Sequence, residues 1–175
     1  MRLMLLRHAK AEKAEPGQRD HERGLTARGR ADAQTIGAYM ARHKLVPDLA
    51  VVSSARRTRE TWDRLQPALA AKVAVSFEER LYNTGTEGIL TLAKEAKSSV
   101  RALLLIGHNP GFHDAARLLI ASGDVEARER LNENLPTAGL VVIDFAGKDW
   151  RKLHSHGGRL EHFVTPRSLA EAGRV

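Results

Sequence analysis

The chain has 175 residues, a net charge of +7, 42% hydrophobic residues and no cysteine. That length can enclose one proper core, and no apolar run approaches transmembrane length. Without cysteine there is no disulfide or thiolate metal site. These features suit one domain over residues 1–175, in a reducing cytoplasm and away from membranes. The positive charge raises nucleic acid as a partner. However, Glu12, Glu15, Asp20 and Glu22 are interleaved among the bases, and only Arg56, Arg57 and Arg59 cluster tightly. The eight aromatic residues carry no RNA-binding signature. A dispersed positive field more simply steers an anionic substrate, so no nucleic-acid partner is expected.

The chain opens on Leu3-Met4-Leu5-Leu6, a short apolar run of the right length for a strand buried on both faces. It stops at Arg7-His8, a fixed cation beside the side chain that titrates near neutrality. Ala11 to Gly24 is polar, turns at Pro16-Gly17, and reads as a loop beside that strand end. Thr26 is a good N-cap for a helix carrying Ala31, Ala33, Ile36 and Met40 on one stripe, to about His43. Gly29 and Gly37 inside it mark either weakness or close packing. Leu49 to Val52 is a second strand; Ser53-Ser54 can cap a helix from Ala55 to Ala71 with Trp62, Leu65 and Leu69 inward.

Val73 to Phe77 reads as a third strand, Glu78 to Thr86 as a loop holding Leu81 and Tyr82, and Glu87 to Lys97 as a helix. Val100 to Ile106 is the most apolar strand. After it, Asn109 suits an N-cap and Pro110 a first helical position, for a helix to about Ala121. Ser122 to Pro136 reads as a polar loop with a helical turn. Gly139 to Phe145 and Trp150 to His154 suggest a closing hairpin around Gly147-Lys148, and the chain beyond Gly157 carries no clear pattern. Alternating strands and helices imply an α/β fold: a three-layer α/β/α sandwich on a mostly parallel sheet.

Three strand-to-helix junctions concentrate the chemistry: Arg7-His8, Ser53 to Arg57, and Gly107-His108. At C-terminal strand ends, all three can face one crevice. Arginines in the first turn of a helix oppose its dipole, and a bound anion reverses that sign. Arg56 and Arg59 can pair with Glu60 and Asp63 on a solvated face while one arginine turns inward. His21, His43, His113, His154, His156 and His162 read as ordinary histidines satisfied by backbone carbonyls. His154-Ser155-His156 lacks a third metal ligand at useful spacing, so no metal is expected.

Taken in order, these motifs resemble the histidine phosphatase superfamily, of phosphoglycerate mutase-like fold. Arg7-His8-Ala9 resembles its Arg-His-Gly signature, with Ala in place of the commoner Gly. Leu25-Thr26-Ala27-Arg28-Gly29 resembles its Leu-Thr-x-x-Gly helix opening. Ser53-x-x-x-Arg57-x-x-x-Thr61 resembles its second-arginine motif, and Gly107-His108-Asn109-Pro110-Gly111 its second-histidine motif. The short chain without a cap insertion is most similar to SixA-type phosphohistidine phosphatases.

The resemblance implies that His8 is a nucleophile that becomes phosphorylated. It implies that Arg7 and Arg57 fork onto the phosphoryl oxygens and that protonated His108 adds a donor, with no metal or cofactor. The implied partner is a phosphorylated protein carrying phosphohistidine, or a small phosphorylated substrate. A small-molecule phosphomonoesterase is the alternative within the family; a mutase fits less well, and a basic nucleic-acid-binding domain is the alternative outside it. The general acid of larger members has no assigned counterpart among Glu78, Glu79 and Glu87, none of which sits in a motif.

Overall fold

The run Leu3–Leu6 is apolar on both faces because it lies in a sheet covered on both sides. In the computed structural model, which describes residues 1–173, it belongs to β1 (Arg2–Arg7). The remaining strands are β2 (Leu49–Ser53), β3 (Ala74–Glu78), β4 (Ala102–Gly107), β5 (Ile120–Gly123), β6 (Leu140–Phe145) and β7 (Gly158–Val164). They form one sheet in the order β3-β2-β4-β1-β6-β7-β5. β3, β2, β4 and β1 run parallel; β6 is antiparallel to both β1 and β7, and β5 is parallel to β7. The helices are α1 (Ala27–Arg42), α2 (Arg56–Leu65), α3 (Thr86–Lys94), α4 (Gly111–Leu119), α5 (Val125–Glu133) and α6 (Pro166–Ala172).

Side chains alternate across each strand, so the sheet separates two cores. Leu3, Leu5, Leu103 and Leu105 pack with Ile89, Phe112, Leu119 and Leu131 from α3, α4 and α5. Met4, Leu6, Leu104 and Ile106 pack with Ile36, Met40, Trp62 and Leu65 from α1 and α2. The expected three-layer α/β/α sandwich with a mostly parallel sheet is therefore the architecture. Thr26 caps α1 by accepting from the Gly29 amide. Gly29 and Gly37 report close packing: a Cβ would come 2.1 Å from the Lys10 carbonyl oxygen at Gly29 and 2.5 Å from that of Leu65 at Gly37.

The structure corrects five local readings. Neither serine caps α2: its N-cap is Ala55, with no side-chain cap bond, and Ser53 binds a histidine instead. The helix ends at Leu65, where a 3-10 turn at Gln66–Leu69 containing Pro67 takes over. The N-cap of α4 is Pro110, not Asn109, because the Asn109 amide donates instead to the Leu135 carbonyl at 2.8 Å. Residues 120–136 hold β5 and then α5, which is capped by Asp124 accepting from Ala127 N at 2.8 Å. Leu131 is the one buried residue of α5, so its sequence carries almost no apolar period.

The fifth correction concerns the hairpin. The strand beside β6 is β7, at Gly158–Val164; Trp150–Lys152 is a 3-10 turn that buries Trp150, whose Nε1 donates to the Val100 carbonyl at 2.7 Å.

Candidate active site

Register builds the site. β1 pairs with β4 so that Arg7 lies opposite Gly107, and the His8 amide donates to the Gly107 carbonyl at 3.0 Å. Val52 of β2 lies opposite Ile106, which places Ser53 beside the Gly107-His108 step. Three parallel strands thus end at one level and deliver His8, Ser53 and His108 to one place. The His8 and His108 ring centroids are 5.3 Å apart.

Each imidazole is set by its partners. His8 Nδ1 lies 2.8 Å from the Ala9 carbonyl oxygen. A carbonyl only accepts, so Nδ1 carries the proton and Nε2 keeps its lone pair. That is the tautomer a nucleophile needs. His108 Nε2 lies 2.7 Å from Ser53 Oγ, and Arg57 Nη2 approaches His108 Nδ1 at 3.3 Å. A guanidinium only donates, so in the protein alone Nδ1 is bare and Nε2–H donates to Ser53.

Burial, then Arg57 and Arg7, push the His8 pKa down to about 4; burial, then His8 and Arg57, push that of His108 down to about 3. In the protein alone burial and the neighbouring cations favour a neutral His108, and the protonated donor that the resemblance implies requires an anion beside it. A phosphoryl dianion beside it acts in the opposite direction and favours the protonated form.

The two arginines belong to the same cluster. Arg57 is 4% exposed, whereas Arg56 pairs with Glu60 at 2.6 Å and Arg59 lies over the Phe77 ring. One arginine of the three turns inward, and it is the one the motif spacing selects. Arg7 Nη1 donates to the Leu135 carbonyl at 3.0 Å. Among the described residues, Arg7 and Arg57 each retain a buried Nε–H without a partner, an arrangement that suits cations awaiting an anion. Thr61 ties the parts together: its Oγ1 accepts from the Ala9 amide at 3.0 Å and donates to the Arg57 carbonyl at 2.7 Å. Ala9 is fully buried there, so a methyl fits where Gly is commoner.

Sequence reasoning missed Asp20, Tyr82 and His21. Arg57 donates from Nη2 to Asp20 Oδ2 at 3.0 Å and from Nη1 to the Asp20 carbonyl at 2.9 Å. Tyr82 OH donates to Asp20 Oδ2 at 2.6 Å, and its ring stands edge-on to His108 with centroids 5.5 Å apart. Tyr82, then Arg23 and Arg57, hold the Asp20 carboxyl far below the usual range. His21 binds Ser54 Oγ at 2.9 Å and packs edge-on against Tyr82. Only the polar composition of the loop hinted that it sits by the site.

Glu78 lies opposite Ser53 in register but pairs with Arg80 at 2.9 Å, and Glu79 and Glu87 are exposed. The expectation that backbone carbonyls satisfy the other histidines holds for only some of them, and His43 instead stacks on the Tyr39 ring. His113 and His154 bind backbone carbonyls, while His162 Nδ1 lies 2.8 Å from Tyr39 OH. Among the described residues no three His, Asp or Glu side chains form a group that could hold a metal. Among them also, no helix is long and apolar enough to cross a membrane.

With this geometry in view, the sequence model of the histidine phosphatase superfamily (branch 1) matches residues 3–99. The chain belongs to the histidine phosphatase superfamily. A crystal structure from Agrobacterium tumefaciens, of a candidate phosphohistidine phosphatase SixA, is similar at 33% identity and TM-score 0.80, over 94% of this chain and 97% of that one. The protein histidine phosphatase SixA complexed with tungstate shares the fold at TM-score 0.73 and 18% identity, over 97% and 99% of the two chains. An uncharacterised Mycobacterium tuberculosis protein is 30% identical over 164 residues, 93% of this chain and all of that one. The fold is thus the phosphoglycerate mutase-like fold of these histidine phosphatases, and the protein is a phosphatase acting on phosphorylated substrates.

Proposed function

We propose that this histidine phosphatase hydrolyses phosphohistidine on proteins through a phosphorylated His8. The observation that carries the reading is the fixed tautomer of His8, whose Nδ1–H is engaged by the Ala9 carbonyl. In the first step Nε2 attacks phosphorus in line, forming an N–P bond as the substrate's P–N bond breaks. The departing imidazole takes up a proton from solvent. In the second step water attacks the phosphoryl group, releasing inorganic phosphate and restoring His8. Arg7 and Arg57 bind the equatorial oxygens, and His108, protonated once the anion is beside it, adds a further donor. The arginines supply the positive charge, so no metal is required.

The substrate class follows from what the site lacks. A phosphate ester leaves as a strongly basic alkoxide and needs a proton donor, whereas an imidazole leaving group, with an ordinary pKa of ~6.5, protonates readily near neutrality. The carboxylate bonded to Arg57, that of Asp20, is held ionised by Tyr82, Arg23 and Arg57. The test is kcat/KM on matched phosphohistidine and phosphoserine peptides. Strong preference for phosphohistidine is expected, with activated aryl phosphates between the two. Parity, or preference for the ester, overturns the assignment and favours a small-molecule phosphomonoesterase.

A further inference from the structure

A groove of about 640 Å³ lies beside the catalytic strand end. Lys10, two residues beyond His8, lines it together with Arg28, Arg130, Thr137, Phe163 and Arg167. The chain from Leu135 to Gly139 joins groove and site. Pro136 and Thr137 line the groove, while the next amide, Ala138 N, donates to the carbonyls of Arg7 and His8 at 3.1 and 3.0 Å. The groove therefore adjoins the strand end that carries His8.

The lining charge is unbalanced. Among the described residues, Lys10, Arg28, Arg130 and Arg167 share the lining with two acids, Asp32 and Glu171. Arg28 pairs with a partly buried Asp32 at 3.7 Å and Arg167 with an exposed Glu171 at 2.9 Å, and both arginines are themselves exposed. Such pairs are weak and exchange easily for a ligand's carboxylates. Lys10 and Arg130 have no carboxylate partner among the described residues, and Arg130 rests over the Phe163 ring, 5.5 Å from its centroid. Phe163 is itself buried, so what the groove offers a ligand is the charge of these two cations, which suits a peptide segment carrying carboxylates. A polyphosphate or a nucleic acid, with its denser negative charge, is repelled more strongly by Asp32 and Glu171 than a peptide with a few carboxylates is.

We propose that this groove seats an acidic peptide segment flanking the phosphohistidine of a protein substrate, and so selects among phosphoproteins. The proposal rests on the phosphatase reading above and adds to it a specificity-determining surface outside the reacting cluster. Complementary charge at a rim acts on encounter and specificity and weakens with salt.

The experiment compares two phosphohistidine peptides of equal length, one flanked by Asp and Glu and the other by Asn and Gln. The expected result is about a tenfold higher kcat/KM for the acidic peptide, carried by KM and shrinking as salt is raised. The double reversal Lys10→Glu/Arg130→Glu is expected to abolish or invert that preference, while hydrolysis of a small phosphoramidate stays within about twofold. Both residues are exposed, so the variant should fold. Equal kcat/KM for the two peptides, or a preference that survives the reversal, overturns the proposal.

A second readout separates it from the catalytic reading. Fluorescence anisotropy of the unphosphorylated acidic and neutral peptides on His8→Ala protein reports the groove whether or not phosphohistidine is turned over. If the acidic peptide binds more tightly there while no phosphoramidate is hydrolysed by the unmodified protein, the catalytic reading fails and the groove stands. Indifferent binding sinks the groove alone.

Discussion

Arg57 Nη2 donates to Asp20 Oδ2 at 3.0 Å and, from the same nitrogen, to His108 Nδ1 at 3.3 Å. One buried guanidinium therefore links a loop carboxylate to the second histidine of the cluster. Asp20 holds Arg57 in place while remaining fully ionised, so it is a positioning residue and not a proton donor. Asp20→Asn should lower kcat by about tenfold through misplacement of Arg57. Phosphohistidine and phosphoserine peptides should lose activity in the same proportion, with the alkaline limb of the pH profile unmoved. A selective collapse on the ester, sparing the P–N substrate, would identify Asp20 as the missing acid.

His8 should carry the phosphoryl group. Brief exposure to a radiolabelled phosphodonor is expected to leave acid-labile, base-stable label on the protein, and His8→Ala should abolish both label and turnover. Label that persists in this variant moves the nucleophile elsewhere.

Arg57 should matter far more than its neighbours. Arg57→Ala removes a buried charge-assisted fork and should cost about 10²–10³ in kcat. Arg56→Ala and Arg59→Ala remove an exposed ion pair and a surface ring contact, and should each cost about tenfold or less. Thermal unfolding of each variant separates lost chemistry from lost fold. Equal kinetic effects at all three positions would mean a diffuse basic patch.

The histidines also set a pH dependence of stability. Both titrate below their ordinary value of 6.5, His8 at about 4 and His108 at about 3. Between these values and 6.5 the unfolded chain binds more protons than the folded one, so stability rises with pH. It should be complete above about pH 6.5 and fall as the pH drops toward about 4. Thermal unfolding from pH 4 to 8 should show a declining Tm on the acid side, and His108→Gln should flatten that decline. An unchanged slope in this variant would contradict the burial of a neutral His108.

Activity should survive exhaustive chelation, because Arg7 and Arg57 provide the charge that binds the phosphoryl oxygens. Vanadate, which adopts the five-coordinate geometry of the transition state, should inhibit. Activity lost on chelation and restored by a divalent ion would show that the arginines are insufficient.

The layers, and the residues that the strand ends bring together, are legible in the chain. Apolar runs that end in Arg7-His8 and Gly107-His108 carry their own address, since a buried parallel strand delivers whatever follows it to one edge of the sheet. Helical position implied that one of three neighbouring arginines faces inward, and only the resemblance to the family's second-arginine motif picked out Arg57. The short capped helix α5 escaped notice with its single buried residue, as did β7, whose partner lies across a loop that is not a tight turn.

Only the tertiary structure decided the roles of Asp20, Tyr82 and Ser53. Their hydrogen bonds to the cluster join residues far apart in sequence, across loops whose path no periodicity encodes. The protonation of His8 and His108 was equally invisible, because an imidazole's state depends on burial and on the carbonyl, hydroxyl or guanidinium that folding places beside each nitrogen.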